Sequence, residues 1–179
     1  MKRLASALVL TATLAFVAAG CGQSPEEKWA SSVCTDIGNW KSQVQKSTNE
    51  IRDKLQSPQA GTLAAIDADI QEALDATGEL ASKLKATEPP DTDSGQQAKQ
   101  QVDALASRLA ATVASAKQTV EGVPKNADLG QTLKKLAPLA PQLQSLAVNA
   151  SSTLAAVQEN DKKLKEGFDK ADSCKQFRD

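Results

Sequence analysis

The sequence predicts an all-α fold, an antiparallel up-down-up-down four-helix bundle stapled by a disulfide. Three observations lead there. Apolar residues recur at steps of three and four through four long stretches, the spacing of a buried helical face. Alanine dominates, accompanied by Lys, Glu, Gln and Leu, all good helix formers, while aromatic residues make up only 3% of the chain. No stretch alternates apolar and polar residues long enough to suggest a strand.

The first helix is expected from Glu26 to Gln56, with Trp29, Val33, Ile37, Trp40, Val44, Thr48, Ile51 and Leu55 facing inward. Ser57 and Pro58 then read as N-cap and first residue of a second helix. It runs to about Lys85 on the stripe Leu63, Ile66, Ile70, Leu74, Thr77, Leu80 and Leu84. Pro89, Pro90 and the polar residues up to Gly95 break it. The third helix starts near Asp93 or Ser94 and ends near Gly122, burying Ala98, Val102, Leu105, Leu109, Val113, Ala116 and Val120.

From Leu129 to Ala171 the steps again alternate four and three. One straight helix from Asp128 to Cys174 would be about 70 Å long, against roughly 45 Å for each of the others. Pro138 and Pro141 resolve the excess, because each removes a backbone donor and clashes with the preceding turn. The prediction is a short helix near 128–137, a break or sharp kink at Pro138–Pro141, and a long helix to about Lys175.

The N-terminus says where the chain resides. Lys2 and Arg3 precede an apolar run from Leu4 to Ala19, which ends in Val17-Ala18-Ala19-Gly20-Cys21. A basic start, a short apolar stretch and small residues describe an export signal. The run is short for a membrane span, which needs about 20 apolar residues. Ala18-Ala19-Gly20-Cys21 resembles the lipobox of bacterial lipoproteins. That resemblance implies cleavage before Cys21, diacylglycerol on its sulfur, and attachment to the outer face of the cytoplasmic membrane. Two or more acyl chains give stable anchoring where one does not. Residues 1–20 are then the signal peptide, 21–25 a lipidated tether, and 26–179 a single helical domain. The rest is similar to small helical lipoproteins of actinobacteria with an early Trp/Cys helix and a late Cys. Here these are Lys28-Trp29-Ala30-Ser31-Ser32-Val33-Cys34 and Ala171-Asp172-Ser173-Cys174. The likeness implies location and architecture and transfers no catalytic residue.

Removing residues 1–20 of 179 leaves 159, enough for one domain with a real core. The chain has 21 basic and 22 acidic side chains, and loss of Lys2 and Arg3 brings the net charge to −3. That balance argues against nucleic acid as a partner. There is no His, no Tyr and no Met beyond Met1, so the usual general base and the commonest metal ligand are missing. No cofactor and no metal are expected.

After Cys21 only Cys34 and Cys174 remain. Outside the cytoplasm two thiols usually form one disulfide; the alternative is two unrelated buried thiols. If they join, and if the first and last helices are antiparallel, Ile37 meets Ala171, Trp40 meets Phe168, Val44 meets Leu164 and Ile51 meets Val157. Asp161 then falls level with Lys46, Ser47 and Thr48, either with a polar partner there or pointing to solvent. Trp29, Trp40, Phe168 and Phe177 gather at one end as the heavy part of the core. The lipid precedes the first helix by a few residues, so the disulfide end faces the membrane. The far end holds the Ser57-Pro58 turn and residues 123–141.

No Gly-rich phosphate loop, serine elbow or metal-spaced cluster is present. The first functional expectation is a non-enzymatic interaction or structural module of the cell envelope. Leu136, Pro138, Leu139 and Pro141 would meet an envelope protein or a wall partner. The alternative is a small binding protein for an apolar ligand such as a lipid, which needs a pocket of roughly 300 Å³ or more between the helices. Ala98, Ala116, Ala147 and Ala150 permit either close helices or an unfilled slot, and close helices are expected.

Overall fold

The computed structural model describes residues 22–57, 59, 61–124, 128–136, 138–159 and 161–178. The expected leader, Cys21 with its expected lipid, and Pro58 lie outside them. Among the described residues the chain is all-helical, with no strand. The helices are α1 (Pro25–Gln56), α2 (Thr62–Ala86), α3 (Asp93–Glu121), α4 (Leu129–Leu136), α5 (Leu139–Glu159) and α6 (Lys162–Lys170), followed by a 3₁₀ helix (Asp172–Phe177).

Local chemistry sets the boundaries. Ser24 caps α1, its hydroxyl accepting from the Glu27 N–H at 3.1 Å, and Pro25 takes the first helical position. A missing N–H costs nothing there. Ser57 does not cap the second helix. It closes α1, donating its N–H to the Asp53 carbonyl. α2 starts only at Thr62, after Gly61 at φ +87°, a left-handed conformation that suits glycine. Thr92 caps α3 by accepting from the Gly95 N–H at 3.0 Å. A Cβ on Gly95 would lie 2.2 Å from the Pro90 carbonyl oxygen, so the turn requires glycine.

α2 runs back along α1. Buried Trp40 donates its Nε1–H to Thr77 Oγ1 at 2.9 Å, and nearer the far end Lys54 pairs with Asp69. α3 runs back along α2: Lys99 donates to the Lys85 carbonyl at 3.1 Å, and Lys117 pairs with Asp75 at 3.1 Å. α5 packs on α3, and α6 packs on α1.

The last stretch is broken where the prolines predict, and twice more. α4 ends at Leu136 and Pro138 directly precedes α5. Pro141 falls in the first turn of α5, where backbone donors lack a helical partner anyway. α5 then stops at Glu159 instead of continuing to Lys175. Asp161 caps α6, its carboxylate accepting from the Lys163 and Leu164 N–H groups at 2.7 and 3.2 Å. The charge thus serves its own backbone, and neither a cross-bundle partner nor a purely solvated role describes it. At Ala171 the backbone becomes extended, and the chain tightens into the 3₁₀ helix.

Cys34 and Cys174 form the disulfide, with Cα atoms 5.1 Å apart and 140 residues between them. The register it was expected to set is different. Phe168 meets Trp29 edge to face, ring centroids 5.9 Å apart, and not Trp40. Gly167 lies against the backbone of Glu26. The helices are therefore offset by about eleven residues, three full turns, from the expected alignment. The cause is the hook after Ala171. The chain reverses and climbs beside α1, with Ser173 bonding Ser31, Cys174 bonding Cys34, Gln176 beside Gly38 and Phe177 beneath Lys41. Arg178 fastens the hook by donating to the Phe168 and Asp169 carbonyls at 2.6 Å each.

The main core extends from Trp29 and Phe168 up to Val44 and Leu143, and Ala98 and Ala150 are fully buried in it. A smaller cluster at the far end contains Ile66, Ile70, Leu74, Ala116, Leu136 and Leu139.

Candidate functional site

The far-end cluster is not filled. A cavity of about 310 Å³ lies there between α1, α2, α4 and α5. Its walls include Ile51, Ile70, Leu74, Leu133, Leu136 and Leu139. The break at Pro138 explains the gap. Leu133 and Leu136 come from one helix and Leu139 and Leu143 from the next, so they do not form one continuous ridge to interdigitate with α1 and α2.

Only Ser47 and Thr48 bring polar atoms to this lining. The Thr48 hydroxyl is used by its own helix, donating to the Val44 carbonyl at 2.7 Å. Ser47 is 1% exposed and its Oγ has no hydrogen-bond partner among the described residues. A buried hydroxyl left unsatisfied costs about 1–3 kcal/mol. The cavity is thus an apolar chamber; Ser47 belongs to its lining, but the Oγ itself is covered.

An open cleft of about 520 Å³ adjoins it between α1 and α5. Thr48 and Leu143 line both spaces, so chamber and cleft lie on either side of this pair. The cleft presents Lys41 and Arg52 with the carboxamides of Gln45, Asn49 and Gln144, and no carboxylate lines it.

The four residues expected to form a partner surface do not share one. Leu136 and Leu139 are 8% and 4% exposed and turn into the cavity, whereas Pro138 and Pro141 face solvent beside a groove between α3 and α5. Burial of apolar side chains draws the leucines inward; the prolines border the helix break and stay outside. Cys34 and Cys174 lie at the other end, in the main core. Sequence reasoning missed Ser47. Its signal was available, because Ser47 is three residues after Val44 and four before Ile51, a polar side chain at a stripe position.

Between α1 and α2, Lys83 stands 3.9 Å from Asp36 and 2.8 Å from Glu79. Burial raises the Asp36 carboxyl above its ordinary pKa; Lys83 opposes this and Glu79 adds to it. Among the described residues no group of His, Cys, Asp or Glu is placed to hold a metal ion, and no helix is long and apolar enough to cross a membrane. No protein family, curated protein or solved structure matches the chain.

Proposed function

We propose that the chain is a lipid-anchored extracytoplasmic protein that binds a small apolar ligand in its distal cavity, a binding role and not a catalytic one. The observation that carries this reading is the chamber of about 310 Å³ walled almost entirely by isoleucine and leucine side chains. The volume lies at the lower end of the range of ligand pockets, roughly 300–1,000 Å³. A void in a close-packed core forfeits contacts, and an occupant returns them.

The architecture supports delivery of the site to the aqueous side. Taking α4, α5 and α6 as one column gives a four-helix up-down-up-down bundle. Diacylglycerol on Cys21 leaves only Gly22 and Gln23 before the Ser24 cap, which holds the disulfide end against the bilayer. Ser47 is 22 residues beyond Pro25, about 33 Å of helix rise from the anchored end. The ligand therefore exchanges with the aqueous side of the envelope and not directly with the supporting leaflet.

A second reading keeps the chain as a docking module for an envelope protein or wall component. It is favoured by the outward prolines and by Val148, 60% exposed on α5.

Native mass spectrometry of the full chain, extracted from membranes without detergent, tests the ligand reading. A non-covalent adduct beyond the mass of the Cys21 lipid is expected on the wild type and should be lost in Ile70→Trp combined with Leu133→Trp, which place two indole rings in the chamber. Identical adducts on both proteins, or none on the wild type, would contradict it.

A further inference from the structure

We propose that the ligand is a single-chain amphiphile with an anionic head. Its hydrocarbon chain occupies the cavity and its head lies in the α1–α5 cleft beside Lys41 and Arg52. The inference rests on the apolar-ligand reading above and specifies what that ligand carries.

The size of the chamber sets the tail. An apolar cavity of 150 Å³ holds one benzene ring, so about 310 Å³ has room for roughly a dozen carbons. That suits one acyl chain and excludes a two-chain lipid. The neighbouring cleft sets the head. Only the side chains of Thr48 and Leu143 stand between cleft and chamber, so a hydrocarbon chain that parts this pair leaves its polar end outside.

Charge sets the sign. The domain is net acidic, and Lys46 and Lys54 on the same helix are each paired with a carboxylate. Lys41 and Arg52 have no such partner among the described residues; the Lys41 ammonium sits 5.8 Å from the centre of the Phe177 ring. They stand three turns apart on α1, about 16 Å, with Gln45 and Asn49 between them. Their long side chains approach a head near Thr48 from both sides, and the three carboxamides donate to its oxygens. A cleft with two cations that meet no carboxylate among the described residues disfavours a cationic head and leaves a neutral one without its strongest contacts.

The experiment uses membranes carrying the full chain and two photoreactive probes of equal length. One is dodecanoic acid with a diazirine near the chain end; the other is the corresponding dodecanol. After irradiation, labelled peptides are mapped by mass spectrometry. The acid should label α2 and α4 residues of the cavity saturably, about ten-fold more than the alcohol. Lys41→Gln combined with Arg52→Gln should reduce acid labelling about ten-fold and leave alcohol labelling unchanged, which also reports that the cavity persists. Should the double variant lose both, Arg52→Gln alone decides, because Arg52 is exposed. Equal labelling by acid and alcohol, or acid labelling indifferent to Arg52, overturns the anionic head while leaving the apolar site standing. Absence of cavity labelling by either probe overturns both.

Discussion

Gly167 and Gly78 both interrupt helices, yet they should respond to alanine with opposite sign. A Cβ on Gly167 would lie 2.7 Å from the carbonyl carbon of Glu26, so α1 and α6 must move apart. Gly167→Ala is expected to destabilise the fold by about 1–3 kcal/mol. Nothing lies within 4 Å of a Cβ built on Gly78. Gly78→Ala should therefore stabilise it by about 0.5–1 kcal/mol. Urea unfolding of both variants checks the pair, and a stabilised Gly167→Ala would contradict the close contact. Asp36 provides a pH test. Burial raises its pKa, so ionisation is less favourable in the folded chain than in the unfolded one. The stability linked to this group is full below the ordinary aspartate range and is lost as pH rises through the raised value. Asp36→Asn should raise Tm at neutral pH and leave it unchanged in acid; equal shifts under both conditions would contradict burial as the cause. At this scale the site was partly legible. Ser47 breaks an apolar stripe, but a single serine there has the same spelling whether it faces a partner or a void.

Helix boundaries were legible where one residue decides them. Pro138 forces a break by its own covalent structure, and the α4–α5 junction falls where its sequence position requires. Ser57-Pro58 misled, because the cap-like pair follows directly on α1 and the positive φ of Gly61 sets the actual start of α2. Asp161 was visible as the odd member of its stripe, yet its role is local: it caps α6 through two backbone N–H groups. Asp161→Ala is expected to cost about 1 kcal/mol. The loss should appear in urea unfolding and as faster amide exchange in α6, and unchanged exchange there would count against the cap. The offset between α1 and α6 was not legible at all. Eleven residues make three helical turns almost without remainder, so a slip of that length presents the same faces to each other. Phase agreement along two stripes fixes which sides meet and leaves open which turns do.

For the whole molecule, the all-helical fold and the joining of Cys34 to Cys174 were legible from periodicity and cysteine count. The hook was not, because no repeat marks the reversal at Ala171. The disulfide closes a loop of 140 residues. Its chain-entropy contribution is about 5 kcal/mol, a large part of a typical stability of roughly 5–15 kcal/mol. Cys34→Ser with Cys174→Ser should lower the urea midpoint strongly and expose residues 172–178 to exchange; a midpoint within error of the wild type would contradict the staple's importance. The cavity arises only when α1 and α2 are assembled with the separate helices α4 and α5, which is why sequence patterns pointed to close packing instead. The proposed ligand fills this space. A crystal structure of the full chain, purified from its native cells without detergent, is the decisive measurement. Elongated density beneath Leu136, touching Ser47 and reaching the cleft past Thr48 and Leu143, is the predicted result. A chamber collapsed onto its own leucines, or one holding nothing beside Ser47, would contradict it.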